Sequence, residues 1–382
     1  MNFDHTEDQQ LLRETVRRFV QDRVIPNARE WDRTHTFPRE VVNELGEMGL
    51  MGISVPEQYG GAGMGSVETA LVVEEVARGD GSLALTVASH NGLCTGHIAM
   101  HANDAQKDRF LGALASGKKL GAWGLSEPGS GSDAVAMNTT AVRDGDDWLL
   151  NGAKIFITQG TVGDIFVVMA RTDKSAGAKG VTAFILEKGM AGFSQNAIEE
   201  KLGMRSSDTA ELHFDNVRVP DANRIGDEGE GFIQTLRILD KGRITIGALA
   251  LGLARGAFEN ARKYSVDRKQ FGKSLSEFQA TQFKLADMAT EIDAADLLVR
   301  RAAHLCDSGK PFSREASMCK LFASEVAMRA TDQAIQIHGG YGYTSEFPVE
   351  RAYRDAKLTT IGEGTSEVQR IIIARHVLKD IA

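Results

Sequence analysis

Apolar positions repeat every three to four residues towards both ends of the chain and every second residue in its middle. That change of period predicts helices, then strands, then helices. Thr6 and Gln9 form a capping box ahead of Leu12, Val16, Phe19 and Val20 at helical spacing. Pro26 and Pro38 punctuate the next turns, and the Gly-rich stretch 55–65 must be a loop. Ser66 is then placed to cap a helix carrying Ala70, Leu71, Val73 and Val76, and 104–115 makes another short helix. From Leu120 the alternation is strand-like. Segments 139–143 and 148–150 flank Asp144-Gly145-Asp146-Asp147, a hairpin signal, and 164–169, 181–186 and 209–219 follow as further strands. Strands without intervening helices imply antiparallel pairing. After Gly231, segments 232–266, 278–306 and 314–338 read as long helices, with Pro311 and Pro348 in connections, which implies an antiparallel bundle. The predicted class is α+β: an N-terminal α-helical domain at 1–119, a middle antiparallel β domain at 120–228, and a C-terminal four-helix-type bundle at 229–382.

Composition narrows the function. Of 382 residues, 42% are apolar and 25% charged, as in ordinary globular proteins, and the net charge is −8. An acidic balance disfavours nucleic acid as a partner. Three cysteines without a CxxC spacing indicate neither a disulfide framework nor a zinc cluster. No apolar run approaches the ~18 residues of a membrane span. The polar N-terminus is unlike a targeting segment, so a cytoplasmic location is expected. His97 and His101 stand one turn apart, but with no third ligand in view they read as packing or surface residues rather than a metal site. The stretch 112–119 misses a phosphate loop because Lys119 occupies the hydroxyl position. Residues 129–134 fit GxGxxA only formally, since no βαβ unit surrounds them.

The chemistry concentrates at Ile361-Gly362-Glu363-Gly364-Thr365-Ser366-Glu367-Val368-Gln369-Arg370. Glu363 sits between two glycines just before a helix start, where Thr365 and Ser366 offer capping hydroxyls. Gln369 stands three residues after Ser366, as a capping box requires. Read alone, Glu363 is a solvated loop carboxylate. Four other stretches alter that reading: 123–133, 154–160, 268–273 with Gln279, and 336–342. Together they bring hydroxyls, amides, an arginine and bare backbone, suited to a large polar cofactor with phosphates and a flat ring.

Over its whole length the chain resembles the acyl-CoA dehydrogenase family of flavoproteins. The resemblance rests on Leu125-Ser126-Glu127-Pro128-Gly129-Ser130-Gly131-Ser132-Asp133, Ile157-Thr158, Lys201-Leu202-Gly203-Met204-Arg205-Ser206-Ser207, Gln336-Ile337-His338-Gly339-Gly340 and Gly364-Thr365-Ser366-Glu367-Val368-Gln369-Arg370. It implies FAD between the β domain and the bundle. Trp123, Leu125, Ser126, Ser132, Phe156, Ile157 and Thr158 would cradle the flavin, and Thr365 and Glu367 would contact it beside the base. Arg268, Gln270, Phe271, Gln279, Gln336, Gly339 and Gly340 resemble the segments that reach the adenosine diphosphate part from a neighbouring subunit, so a homodimer or homotetramer follows. Ser132, Asp240, Arg243, Gly362 and Gly364 match substrate contacts. Glu363 would be the base that takes the α-proton of an acyl-CoA, with the β-hydrogen leaving as hydride to the flavin. Some relatives carry that base where this chain has Gly242. Gly362 replaces an aromatic residue common in straight-chain members, which suggests branched or cyclic acyl groups, while Gly242 and Thr365-Ser366-Glu367 look like short-chain enzymes. Other stretches, such as 89–94, look like isovaleryl-CoA dehydrogenases. An electron-transfer flavoprotein is the implied acceptor. The alternatives are an oxygen-reactive oxidase or nitroalkane-oxidase-like enzyme, and a non-enzymatic FAD-binding relative.

Overall fold

The computed structural model describes residues 4–379. The N-terminal part is helical: α1 (Glu7–Phe19), α2 (Ile25–Thr34), α3 (Arg39–Glu47), α4 (Ser66–Gly79), α5 (Gly81–Ser89), α6 (Gly96–His101) and α7 (Asp104–Ala115). The Thr6 capping box opens α1 as expected. At α4 the N-cap is Gly65 rather than Ser66. The orphan amides of Ser66 and Val67 donate instead to the Asp307 carboxylate, 240 residues away in sequence, which supplies negative charge to that helix N-terminus. Two π-turns, Val20–Val24 and His90–Thr95, join α1 to α2 and α5 to α6; periodicity did not reveal them.

A single sheet follows, with β1 (Gly121–Gly124), β2 (Thr140–Asp144), β3 (Asp147–Thr158), β4 (Ile165–Arg171), β5 (Val181–Glu187), β6 (Phe193–Ala197), β7 (Thr209–Pro220) and β8 (Arg224–Ile225). Its order is β6-β7-β3-β2-β4-β5-β8, with β1 added against β4. Pairing is antiparallel apart from β1 with β4 and the single Thr140–Arg171 register between β2 and β4. The hairpin partner β3 is bonded on its other edge to β7, so the free edge of β2 meets β4.

The C-terminal part holds α8 (Gly231–Asp267), a small hairpin of β9 (Lys269–Gln270) and β10 (Lys273–Ser274), then α9 (Gln279–Asp307), α10 (Ser313–His338), α11 (Val349–Thr359) and α12 (Ser366–Leu378). At 37 residues, α8 is about 55 Å long and forms the axis of the molecule. It is buried along one stretch because Gly252 and Gly256 let α4 approach to backbone contact: a Cβ at either would fall within 2.5 Å of the Glu74 or Arg78 carbonyl oxygen. Ile244, Leu249 and Leu253 of α8 share one buried core with Val76 of α4, Val299 of α9 and Val326 of α10. No helix among the described residues is long and apolar enough to cross a membrane.

Candidate active site

Helix α11 ends at Thr359, and the amides of Ile361 and Gly362 turn back to the Leu358 carbonyl at 2.9 and 2.8 Å. Glu363 then adopts φ +53 and Gly364 φ +95. A left-handed glutamate is uncommon and marks a site held by its surroundings. Three groups hold it. Thr365, not Ser366, is the N-cap of α12 and accepts from the Val368 amide. Gln369 does not close a capping box; its amide nitrogen donates to the Gly364 carbonyl at 2.8 Å and the Glu363 carbonyl at 3.3 Å. Lys320, from the N-terminal third of α10, donates to the same Gly364 oxygen at 2.8 Å. The Ser366 hydroxyl is buried without a hydrogen bond.

The Glu363 side chain lies back over α8. Its Oε2 is buried and unpartnered, and a Cβ built on Gly242 would stand only 1.8 Å from it. Glycine at 242 is therefore what admits the carboxylate. Burial raises the Glu363 pKa to about 7, with Lys320 and Arg243 holding it down. Burial pushes Lys320 down to about 8, against the opposing pull of Glu363. Arg243, 5% exposed, binds Asp240 through Nη1 while its Nε stays unpartnered. Asp240 also accepts from the Ser313 hydroxyl at 2.9 Å.

The β domain carries the next group of candidate residues. Trp123 and Leu125 are buried. The Trp123 indole donates to His97 Nδ1 at 3.1 Å, and His97 Nε2 meets the Gln234 amide oxygen at 3.0 Å. Indole only donates, so His97 accepts at Nδ1 and donates at Nε2, the neutral tautomer. Burial keeps it neutral by lowering its pKa to about 3. Its pairing with His101 is an edge contact at 5.4 Å. The following loop turns tightly at Glu127 and Ser130, which exchange backbone hydrogen bonds. The Glu127 carboxylate accepts from the Asn138 and Thr139 amides and from Lys154 Nζ at 2.7 Å. Ser126 accepts the Ile155 amide through its carbonyl, and Ser132 is exposed.

Between Lys154 and Ile157 the β3–β7 register slips, and at this bulge Phe156 adopts φ +60 and is 68% exposed. Bulges re-aim side chains in this way. Ile157 is buried, and Thr158 ends the strand opposite Thr209. The preceding loop, 201–208, reaches the bundle: the Met204 amide donates to Asp355 at 2.5 Å, and Gly203 presses on the Arg354 backbone. Asp355 belongs to α11, so the loop that leads into the strand opposite Thr158 contacts the helix that leads into the Glu363 turn. Ser206 and Ser207 of that loop carry buried, unpartnered hydroxyls. A presented aromatic ring, open hydroxyls, a small-residue loop and a buried carboxylate fit a flat polar ring such as the flavin of FAD.

The remaining residues gather elsewhere. Arg268, Gln270, Gly339 and Gly340 line an open recess of about 570 Å³ with Tyr264 and His338. The Arg268 guanidinium lies 5.6 Å from the Tyr341 ring centre. Phe271 at the hairpin tip is 94% exposed, and Gln279 and Gln336 are exposed outside the recess lining. From Lys320 to His338 is eighteen residues of α10, about 27 Å, so recess and carboxylate occupy opposite ends of one helix. Glu367 is exposed on the first turn of α12.

Reading the sequence missed Lys320, the His97–Gln234 link and the Glu127–Lys154 pair. Each joins residues 27 or more positions apart, and only the burial of their polar ends distinguishes them.

The described domain families acyl-CoA dehydrogenase N-terminal, middle and C-terminal match residues 6–118, 122–217 and 229–378. The chain is similar to the short-chain specific acyl-CoA dehydrogenase of Clostridium acetobutylicum, 47% identical over 99% of this chain and 100% of that one. It is also similar to the mitochondrial short-chain specific acyl-CoA dehydrogenase of Rattus norvegicus, 44% identical over 98% and 90%. Butyryl-CoA dehydrogenase of Megasphaera elsdenii shares its structure at TM-score 0.97, with 44% identity over 99% and 100% of the two chains. A chain solved in work on the electron transferring flavoprotein of Acidaminococcus fermentans does so at 0.98, with 48% identity over all of both.

Proposed function

The chain belongs to the acyl-CoA dehydrogenase family of FAD-dependent oxidoreductases, and from that premise we propose that Glu363 is the base that removes the α-proton of a short-chain acyl-CoA. The observation that carries this is the Glu363 Oε2 atom, buried, unpartnered and seated in the space that Gly242 leaves. A carboxylate with a pKa near 7 is ionised for half its population at neutral pH and far more basic than one in water. Arg243, one position beyond Gly242, supplies positive charge without a direct bond to the base. The Glu363 amide is the proposed donor to the thioester oxygen as negative charge grows there. Bound FAD supplies the acceptor for the β-hydrogen, which leaves as hydride, so the thioester loses two electrons and becomes the trans-2-enoyl-CoA.

Phe156, Ile157 and Thr158 would hold the ring from the bulge side, with Trp123, Leu125, Ser126 and Ser132 from the adjoining loop and Thr365 and Glu367 from α12. Ser132, Asp240, Arg243, Gly362 and Gly364 would take the acyl-CoA. The 27 Å along α10 supports a second role for the Arg268 and Gly339 recess: it would serve the cofactor of a neighbouring copy, together with Gln270, Phe271, Gln279, Gln336 and Gly340. The relatives support the short-chain half of the sequence reading; they give no specific support to an isovaleryl-like preference. A Cβ at Gly362 would meet only Leu358 at 3.6 Å or more, so the missing side chain leaves real space, which keeps branched and cyclic acyl groups within the reading. The short-chain relatives and the flavoprotein-associated neighbour support an electron-transfer flavoprotein as acceptor.

The test is an anaerobic titration of the purified flavoprotein with straight, branched, cyclic and dicarboxylic acyl-CoAs. Flavin bleaching with butyryl-CoA and slow reoxidation in air are expected. No bleaching with any thioester would overturn the reading, and fast reoxidation in air would convert it to an oxidase.

A further inference from the structure

Lys320 belongs to none of the motifs by which the chain resembles its family, yet it is fully buried and its ammonium points at the turn that carries Glu363. On α10 it shares one buried stripe with the small residues Ala316, Ser317, Ala323 and Ser324, three and four positions to either side, and its stem reaches the turn ahead of α12. A buried ammonium is costly without a counter-charge. The charges facing it are Glu363 and, more weakly, Glu367 from the start of α12, opposed by Arg243 of α8.

We infer that Lys320 is a positioning residue for Glu363, whose positive charge holds the buried carboxylate in its ionised, proton-accepting form. This rests on the assignment of Glu363 as the base. The geometry separates charge from hydrogen bonding. The Gly364 carbonyl already accepts from Gln369 at 2.8 Å, so the turn keeps one clamp if Lys320 is replaced. Gln369 is neutral and cannot supply the charge. Arg243 is cationic but is bonded to Asp240, which offsets part of its field. Lys320 is the buried cation that no carboxylate neutralises by direct contact among the described residues, so its field falls on Glu363. The sign is consistent: Lys320 stays charged up to about pH 8, and Glu363 ionises from about pH 7, so the two are oppositely charged in the working range.

Two variants divide the roles. Lys320→Gln keeps a donor towards Gly364 and removes the charge; Lys320→Met removes both. Each is purified with its FAD content checked, and kcat/KM for butyryl-CoA is measured from pH 5.5 to 9.5 (a range set by the values of about 7 and 8 above). This profile reports the free enzyme's essential groups. The acid limb should move up by about one pH unit in both variants, a tenfold loss at low pH that is regained at high pH. Lys320→Arg should restore the limb. In parallel, the Glu363 carboxyl stretch is titrated by difference infrared spectroscopy and assigned by its loss in Glu363→Gln. It should shift with the limb. An unmoved limb and band in Lys320→Gln, or a fall in rate equal at every pH, would overturn the proposal. The infrared band reports the carboxyl itself, so it tests Lys320 separately from the base assignment, which full turnover in Glu363→Gln would overturn.

Discussion

Two glutamates in this molecule lie beside a fully buried lysine, and they behave in opposite ways. In the β domain, Lys154 contacts Glu127 directly at 2.7 Å, and two backbone amides complete the carboxylate. Burial pushes Glu127 up, but those partners outweigh it and leave the carboxyl below its usual range. In the bundle, Lys320 directs its hydrogen bond to a peptide carbonyl, and Glu363 keeps an unpartnered oxygen and a pKa raised to about 7. Both lysines are lowered to about 8, chiefly by burial. The same residue types thus make a structural pair in one place and the proposed base in the other. Hydrogen bonding to the carboxylate makes the difference. A satisfied carboxylate ties the 125–139 loop together and gives up its charge less readily. An unsatisfied one is costly to bury and chemically available.

The most forceful way to break this contrast is to make the same change at both sites. Glu363→Gln should retain FAD and lose about 10³-fold in turnover, read by stopped-flow bleaching with butyryl-CoA. Turnover within tenfold of the parent would remove the distinction. Glu127→Gln should lower stability by about 3 kcal/mol, since the buried Lys154 loses its ionic partner. The apparent unfolding temperature of the holoenzyme measures this, and an unchanged value would show that the pair is dispensable. Gly242→Ala comes next. The atom in the way is the far end of a flexible side chain, so the fold should tolerate the methyl while the carboxylate is displaced, costing about 10² in kcat. Unchanged kcat would mean that Glu363 does not react from this position.

The smallest effect is in the pH dependence of stability. A carboxyl whose folded pKa is raised favours the fold below its ordinary range, and that contribution is lost as pH rises towards about 7. Glu363→Gln should flatten this decline, so the variant gains relative to the parent at pH 8 but not at pH 4. Glu127 runs the other way: its contribution is present above the ordinary carboxylate range and disappears as pH falls through its lowered pKa. Unfolding midpoints across pH 4–8 should therefore separate the two glutamine variants by sign.

Much of the architecture was legible along the chain because it is locally encoded. The long helices carry helical spacing, the hairpin carries its Asp-Gly turn, and Glu363 stands between its glycines. What escaped the sequence was long-range polar pairing. Lys320 and Lys154 look like ordinary solvated lysines, and nothing near them in sequence announces that their ends are buried. The caps failed for a related reason. Ser66 and Ser366 are good capping residues, but α4 draws on Asp307 from another helix, and one residue of register gives α12 to Thr365. Gln369 has capping-box spacing and serves the turn's carbonyls instead.

The gap at Gly242 has a consequence for how the site can be rebuilt. A side chain at 242 and the carboxylate of 363 compete for the same volume, so the two cannot be filled together. If Glu363 is the base, moving an acid to 242 requires removing the one at 363 in the same step, since a single change leaves two acids crowded into a space for one. The two positions therefore act as one coupled unit, to be substituted as a pair.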